Sequence, residues 1–173
     1  MLNGRVGEKK EKDMYHYIED KEFLKRMKSL CSDIVNQLVQ SINNDSVMTV
    51  EAHLVGSGAR NLITQNAKEP IDLDYNLCVL EVFGISFNDG NAIKEHIRKH
   101  FNSILQSFDL DDCQDSTSAF STNFIVFKKG NKTNFKIDLG IVRERNYGWE
   151  RLIHHKTGFI SSDQWYWNEA PNS

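Results

Sequence analysis

The sequence predicts an α+β domain (mixed α/β), with a mainly antiparallel sheet of four or more strands and helices packed on one face. Three observations carry that expectation. First, Phe23, Leu24, Met27, Leu30, Cys31, Ile34, Val35, Leu38, Val39 and Ile42 recur at three- and four-residue steps, which lays one apolar stripe along a helix ending near "NNDS". Second, "SVMTVEAHLVG" and "PIDLDYNLCVLEV" carry the two-residue alternation of strands. Third, "AFSTNFIVFKKGNKTNFKIDLGIV" reads as a hairpin, two apolar strands around the polar turn "KKGNKT".

The remaining elements follow in order. Residues 1–12 are polar and glycine-bearing and predict a flexible tail. "SGARNLITQ" predicts a short helix after the first strand. "NAIKEHIRKHFNSILQSF" predicts a longer one, with Ile93, Ile97, Phe101, Ile104, Leu105 and Phe108 on one face. The acidic stretch from Asp109 to Asp115 reads as a solvated loop, since Gln114 and Phe120 stand where a calcium loop needs glycine and glutamate. Beyond Val142 aromatic residues are dense and periodicity is weak, which predicts a short helix followed by irregular chain.

Length and composition bound the function. A chain of 173 residues fits one domain and can bury roughly two thirds of its unfolded surface. Hydrophobic residues make up 39% and charged residues 26%, as in soluble globular proteins. A net charge of -3 excludes bulk positive charge as a means of coating nucleic acid, so a polyanion must be met by a local basic site. Cys31, Cys78 and Cys113 form no Cys-x-x-Cys pair and read as reduced thiols of a cytoplasmic protein. The first residues carry charges with no apolar stretch behind them, and no run of about 18 apolar residues occurs, so neither secretion nor membrane spanning is expected.

The chemistry concentrates in "VGSGARNLITQNAKEPIDLDYNL". Strand alternation sends Ile71, Leu73, Tyr75, Leu77 and Val79 to one face and Asp72, Asp74, Asn76 and Cys78 to the other. Two carboxylates side by side repel by roughly 3 kcal/mol at an effective dielectric of about 20, and a divalent cation between them reverses that cost. In "FKIDLGIV", Lys136 and Asp138 face opposite to Phe135, Ile137 and Leu139, so this strand laid beside the first would complete a three-carboxylate cluster. Oxygen-only ligands suit Mg²⁺ or Mn²⁺, which keep several waters and lean on substrate phosphates. Gly56, Ser57 and Gly58 lie between a strand end and a helix start, where backbone N–H groups can cradle a phosphate.

These pieces, in this order from Val55 to Ile141, resemble the DNA polymerase beta-like nucleotidyltransferase superfamily: an apolar residue, Gly, Gly or Ser, a short helix, Asp-x-Asp on the next strand, and a third carboxylate downstream. The resemblance implies a nucleotidyltransferase-type sheet and a catalytic domain over residues 13–145. It implies that Gly56 and Ser57 hold the triphosphate, that Asp72 and Asp74 bind two metals, and that Asp138 joins one metal and helps deprotonate the attacking hydroxyl. Arg60, four positions after Gly56, is similar to an arginine of tRNA CCA-adding and poly(A) polymerase sequences, and Lys136 is placed to contact a phosphate. The implied reaction moves an NMP group from a nucleoside triphosphate to an acceptor hydroxyl with release of pyrophosphate; the acceptor could be a nucleotide, an RNA end, a small molecule or a protein.

The sequence departs from the pattern in its long interval between Ser57 and Asp72 and in Pro70-Ile71 ahead of the carboxylates. Many members of that superfamily continue into a helical domain, so residues 146–173 are expected to be its truncated start, with a partner protein or a missing C-terminal domain completing the site. The competing reading is a catalytically silent nucleotidyltransferase-like module that binds nucleotide or acts as an antitoxin. A dinucleotide fingerprint fails because Asn61 replaces the third glycine, and a Walker loop fails because no Gly-Lys-Ser/Thr follows. His96 and His100 have a zinc-binding spacing, but "HIRKH" lacks a metalloprotease glutamate and is set aside, as is His154-His155. Trp149, Trp165, Tyr166 and Trp167 are assigned to core or interface packing ahead of base stacking.

Overall fold

A computed structural model describes residues 4–56, 70–155 and 164–170, with side chains described from residue 21 onward. Helix α1 (Gly4–Asn44) leads into strand β1 (Met48–Val55). Strand β2 (Ile71–Val82) is followed by helix α2 (Gly90–Ser107) and two short strands, β3 (Gln114–Asp115) and β4 (Phe120–Ser121). Strands β5 (Phe135–Arg145), β6 (Gly148–His155) and β7 (Gln164–Glu169) complete the order. Among the described residues these strands form one α+β sheet of seven strands.

The sheet is antiparallel except where β2 meets β5, which run parallel from Ile71↔Phe135 to Cys78↔Val142. The other edge of β5 is shared in succession, β4 pairing at Asp138–Leu139 and β6 at Val142–Arg145. The hairpin expected before β5 is therefore irregular. Phe120 and Ser121 pair as strand, Ile125 forms an isolated bridge to Phe135, and the register slips by one between them. Asn123 and Phe124 are both exposed between buried Thr122 and Ile125, which breaks the alternation that a regular strand would need.

Both helices bury their apolar stripes against one face. Phe23, Met27, Cys31, Ile34, Val35, Leu38 and Ile42 of α1, and Ile93, Ile97, Phe101 and Leu105 of α2, join Leu73, Tyr75, Leu77, Ile137, Leu139 and Ile141 in a single core. Each such side chain contributes about 1.5–3 kcal/mol by leaving water. Asp89 caps α2, accepting from Ala92 N at 3.1 Å. Asn43 clasps β1 through both polar atoms, donating to Val50 O at 3.0 Å and accepting from Val50 N at 2.8 Å, beside the bulge at Thr49/Val50.

Two segments differ from expectation. The backbone is helical from Gly4, within the stretch predicted to be a flexible tail; Glu8 to Lys12 are good helix formers with no proline among them, and α1 is already nucleated downstream. The segment predicted as the start of a helical region forms the β6 and β7 strands instead. In β6 the buried positions are Glu150, Leu152 and His154, a clean two-residue alternation masked in sequence because two of the three are polar. Trp165 is buried against His154, with stacked rings 4.8 Å apart. The acidic loop is not fully solvated either, since Asp115 in β3 pairs with Lys94 at 3.1 Å and with Arg98. No helix among the described residues is long and apolar enough to cross a membrane.

Candidate functional site

On β2 the alternation that buries Ile71, Leu73, Tyr75 and Leu77 turns Asp72, Asp74 and Asn76 to the opposite face. On β5, burial of Ile137, Leu139 and Ile141 does the same for Lys136, Asp138 and Gly140. The parallel register sets these residues opposite one another: Asp72↔Lys136, Asp74↔Asp138 and Asn76↔Gly140. Two carboxylates thus face each other across neighbouring strands, with a third carboxylate and a lysine one row away. Asp138 Oδ1 accepts from Ser121 Oγ at 2.5 Å and lies 3.4 Å from Lys136 Nζ.

The electrostatics are those of a site built around like charges. Burial, then Asp138, then Asp72 push the Asp74 carboxyl above its ordinary value, against Arg151 and Lys136. Burial also raises Asp72, opposed by Lys136 and reinforced by Asp138.

Gly56 ends β1 at φ 70°, a conformation glycine adopts without strain, and a Cβ there would lie 3.4 Å from Asp74 Oδ2. The preceding Val55 pairs with Asp74, so the glycine turn opens directly onto the carboxylates. Ser57, Arg60 and the short helix expected after them lie outside the described residues.

Several residues of this face were not singled out by sequence reasoning as part of a site. Arg151 reaches from β6 to donate to Asn76 Oδ1 at 3.0 Å. It passes over Gly140, where any Cβ would overlap the guanidinium and stand 3.1 Å from Asn76 Oδ1. Asn76 shared the strand phase of the two aspartates, a signal available in the sequence; Ser121 sat in the first arm of the expected hairpin with nothing to mark it, and Arg151 in a strand that the sequence did not reveal. A cavity of about 370 Å³ is bounded by Asp74, Asn76, Ser121, Lys136, Asp138 and Arg151. A second, of about 470 Å³, lies on the other side of Asn76 and Arg151, walled by Gly56, Val142 and half-exposed Trp149. Trp165 and Trp167 belong to the core or its margin.

Gly140→Ala tests the close approach. The new methyl must displace the flexible Arg151 head, not backbone, so the fold is expected to survive with a loss of about 1–3 kcal/mol. Thermal denaturation of the variant beside the parent measures that loss directly.

No protein-family model matches the chain, and no curated protein matches it. Among solved structures, the chain is similar to the CD-NTase CdnG of Bradyrhizobium diazoefficiens in complex with GTP, at 14% identity and TM-score 0.49 over 86% of this chain and 39% of that one. It is similar to CdnC of E. coli MS115-1 with ATP, at 13% identity and TM-score 0.48, covering 91% of this chain and 47% of that one. It is also similar to the CdnE cyclic dinucleotide synthase of Elizabethkingia meningoseptica with GTP and Apcpp, at 11% identity and TM-score 0.44, covering 82% and 47%. The chain spans less than half the length of each.

Proposed function

We propose that this chain is a metal-dependent nucleotidyltransferase, moving an NMP group from a nucleoside triphosphate to an acceptor hydroxyl and releasing pyrophosphate. The observation that carries this reading is the register of β2 on β5, which opposes Asp74 to Asp138 with Asp72 on the same face, at the end of the Gly56 turn.

The donor set fits a hard divalent cation. All three groups are carboxylates, and those of Asp72 and Asp74 are held above their ordinary pKa by burial and mutual repulsion, a cost that a bound cation offsets. Asp72, Asp74 and Asp138 would hold Mg²⁺ or Mn²⁺, which when bound supplies Lewis-acid stabilisation of the attacking and leaving oxygens. The chain's own groups do the rest. Backbone N–H groups at the Gly56 turn bind phosphate, with Ser57 and Arg60 of the following segment as further phosphate contacts. Lys136, within 3.4 Å of Asp138 and opposite Asp72, balances charge where phosphate oxygens would enter. Arg151, anchored by Asn76, closes the far wall of the cavity. Ser121 fixes one oxygen of Asp138, which leaves that carboxylate oriented to accept the proton of the attacking hydroxyl.

Thermal denaturation with each nucleoside triphosphate, with and without Mg²⁺ or Mn²⁺, tests the assignment. A nucleotide at a hundredfold its Kd should stabilise the chain by about 2.7 kcal/mol, raising Tm by roughly 5–10 °C, only when the cation is present. Asp72→Asn combined with Asp74→Asn should abolish that shift. A shift indifferent to both cation and substitution would place the nucleotide elsewhere, and the silent binding module would then be the better account.

A further inference from the structure

The helical layer holds a second group of ligating side chains, apart from the carboxylate face of the sheet. His96 and His100 stand one turn apart on the same face of α2, and Asp45 lies in the turn between α1 and β1. Their ligand atoms all fall within 4.8 Å of one another. Asp45 Oδ2 is 2.8 Å from His96 Nε2 and 2.5 Å from His100 Nε2, so a single carboxylate oxygen faces both imidazoles.

Three features separate this group from an ordinary ion pair. His96 Nε2 is buried and has no aligned hydrogen bond among the described residues, despite its proximity to Asp45. His100 is oriented from behind, its Nδ1 meeting Ser41 Oγ at 2.7 Å, the second contact that fixes the tautomer of a ligating histidine. Asp45 is likewise preset, since its Oδ1 accepts from Val47 N at 3.1 Å while Oδ2 faces the histidines.

We propose that Asp45, His96 and His100 bind one divalent transition-metal ion, zinc by donor chemistry, which pins the α1–β1 turn to α2. Two imidazoles and a carboxylate form a borderline-soft N₂O set suited to zinc and unlike the oxygen-only set on the sheet. Zinc bonds of roughly 2.0–2.1 Å place tetrahedral ligand atoms about 3.3 Å apart, so the two Asp45–histidine separations need to open by less than about 1 Å. The fourth position is left for water or another ligand.

The test uses the full chain without a histidine tag, stripped with chelator, then dialysed against zinc and measured for bound metal. One zinc per chain is expected, and it should persist in an Asp74→Asn, Asp138→Asn double variant, which separates this site from the carboxylate cluster. His96→Gln and His100→Gln should each lower zinc affinity by at least about 100-fold, and Ser41→Ala by about 10–100-fold. Zinc at a hundredfold its Kd should raise the Tm of the unsubstituted chain by roughly 5–10 °C. Cobalt(II) substitution of the unsubstituted chain should give the visible absorption bands of a tetrahedral site, a readout that does not depend on the variants folding. Absence of stoichiometric zinc, zinc retained after loss of both histidines, zinc lost only with the sheet aspartates, or a colourless cobalt form would each overturn the proposal.

Discussion

Asp138→Asn is expected to cut pyrophosphate release by about a thousandfold while reducing nucleotide-dependent thermal stabilisation far less. The size follows from its double role in the proposed reaction. A ligand that helps place a cation at the reacting oxygens supports several kcal/mol of transition-state stabilisation, and about 4 kcal/mol corresponds to roughly three decades in rate. Binding is less affected because the Gly56 turn and Asp72 with Asp74 remain. Ser121 still has an oxygen to donate to in the amide, so the local geometry is preserved. Equal rates in variant and parent would remove Asp138 from the chemistry. Asp74→Asn sharpens the test, because it separates function from stability in opposite directions. Its carboxyl pKa is raised in the fold, so ionisation costs stability, a cost that appears as pH rises through the ordinary carboxylate range and is complete above the raised value. Without metal at neutral pH, Asp74→Asn should therefore be as stable as the parent or better, by up to about 1 kcal/mol, and the difference should vanish in acid. Turnover should nevertheless collapse. A variant that lost activity together with metal-free stability would point to a structural role for Asp74.

The sequence revealed the parts of this site that obey strand alternation. Asp72 and Asp74 interrupt an apolar run on every second residue, and "FKID" repeats the pattern, so the orientation of all three acids could be read without coordinates. Their register could not. Asp74 meets Asp138 through a parallel pairing across more than sixty residues, and the intervening α2 and the irregular chain from Thr122 to Asn134 determine it. The C-terminal strands were hidden for a different reason. Strand β6 places Glu150 and His154 where an inward-facing strand position ordinarily shows an apolar residue, and Arg151, on the outward face, adds charge to every register. A polar inward residue is tolerated where it finds a partner, and partners contributed by Arg143 on β5 and Trp165 on β7 are invisible to local pattern. The same blindness concealed Arg151 itself, whose place over Gly140 depends on two strands meeting. Asn43 clasping Val50 shows the converse, a polar residue at a helix end whose strand partner lies beyond the turn.

Glu150→Ala is expected to cost about 3–5 kcal/mol, because it strands a buried guanidinium. Arg143 and Glu150 side chains are only 5% and 10% exposed, and Arg143 Nε donates to Glu150 Oε2 at 2.5 Å. Tyr147 donates to the other carboxylate oxygen at 2.7 Å, and Arg143 Nη1 donates to Phe87 O at 2.6 Å. The guanidinium also lies over the rings of Phe87 and Trp167, 5.0 and 4.3 Å from their centres, which holds it in place. Removing its counter-ion should lower Tm by roughly 10 °C or more. Replacing both partners, Arg143→Met with Glu150→Leu, should recover most of that loss, since the desolvation cost of both charges then disappears. The pH dependence has a fixed sign. Burial works to raise the Glu150 carboxyl, but Tyr147 and the arginines outweigh it and hold the pKa below the ordinary glutamate value. Its contribution is therefore complete above the ordinary range and is lost as pH falls through the lowered value, so the parent should lose stability in acid relative to the double variant. The consequence reaches the candidate site because Arg151 is the next residue on β6. A hairpin loosened at Glu150 should release Arg151 from Asn76 and weaken nucleotide binding before it affects the aspartates, whereas the double variant should restore it. Glu150→Ala with parental stability and parental nucleotide affinity would show that aromatic packing alone holds this hairpin against the sheet.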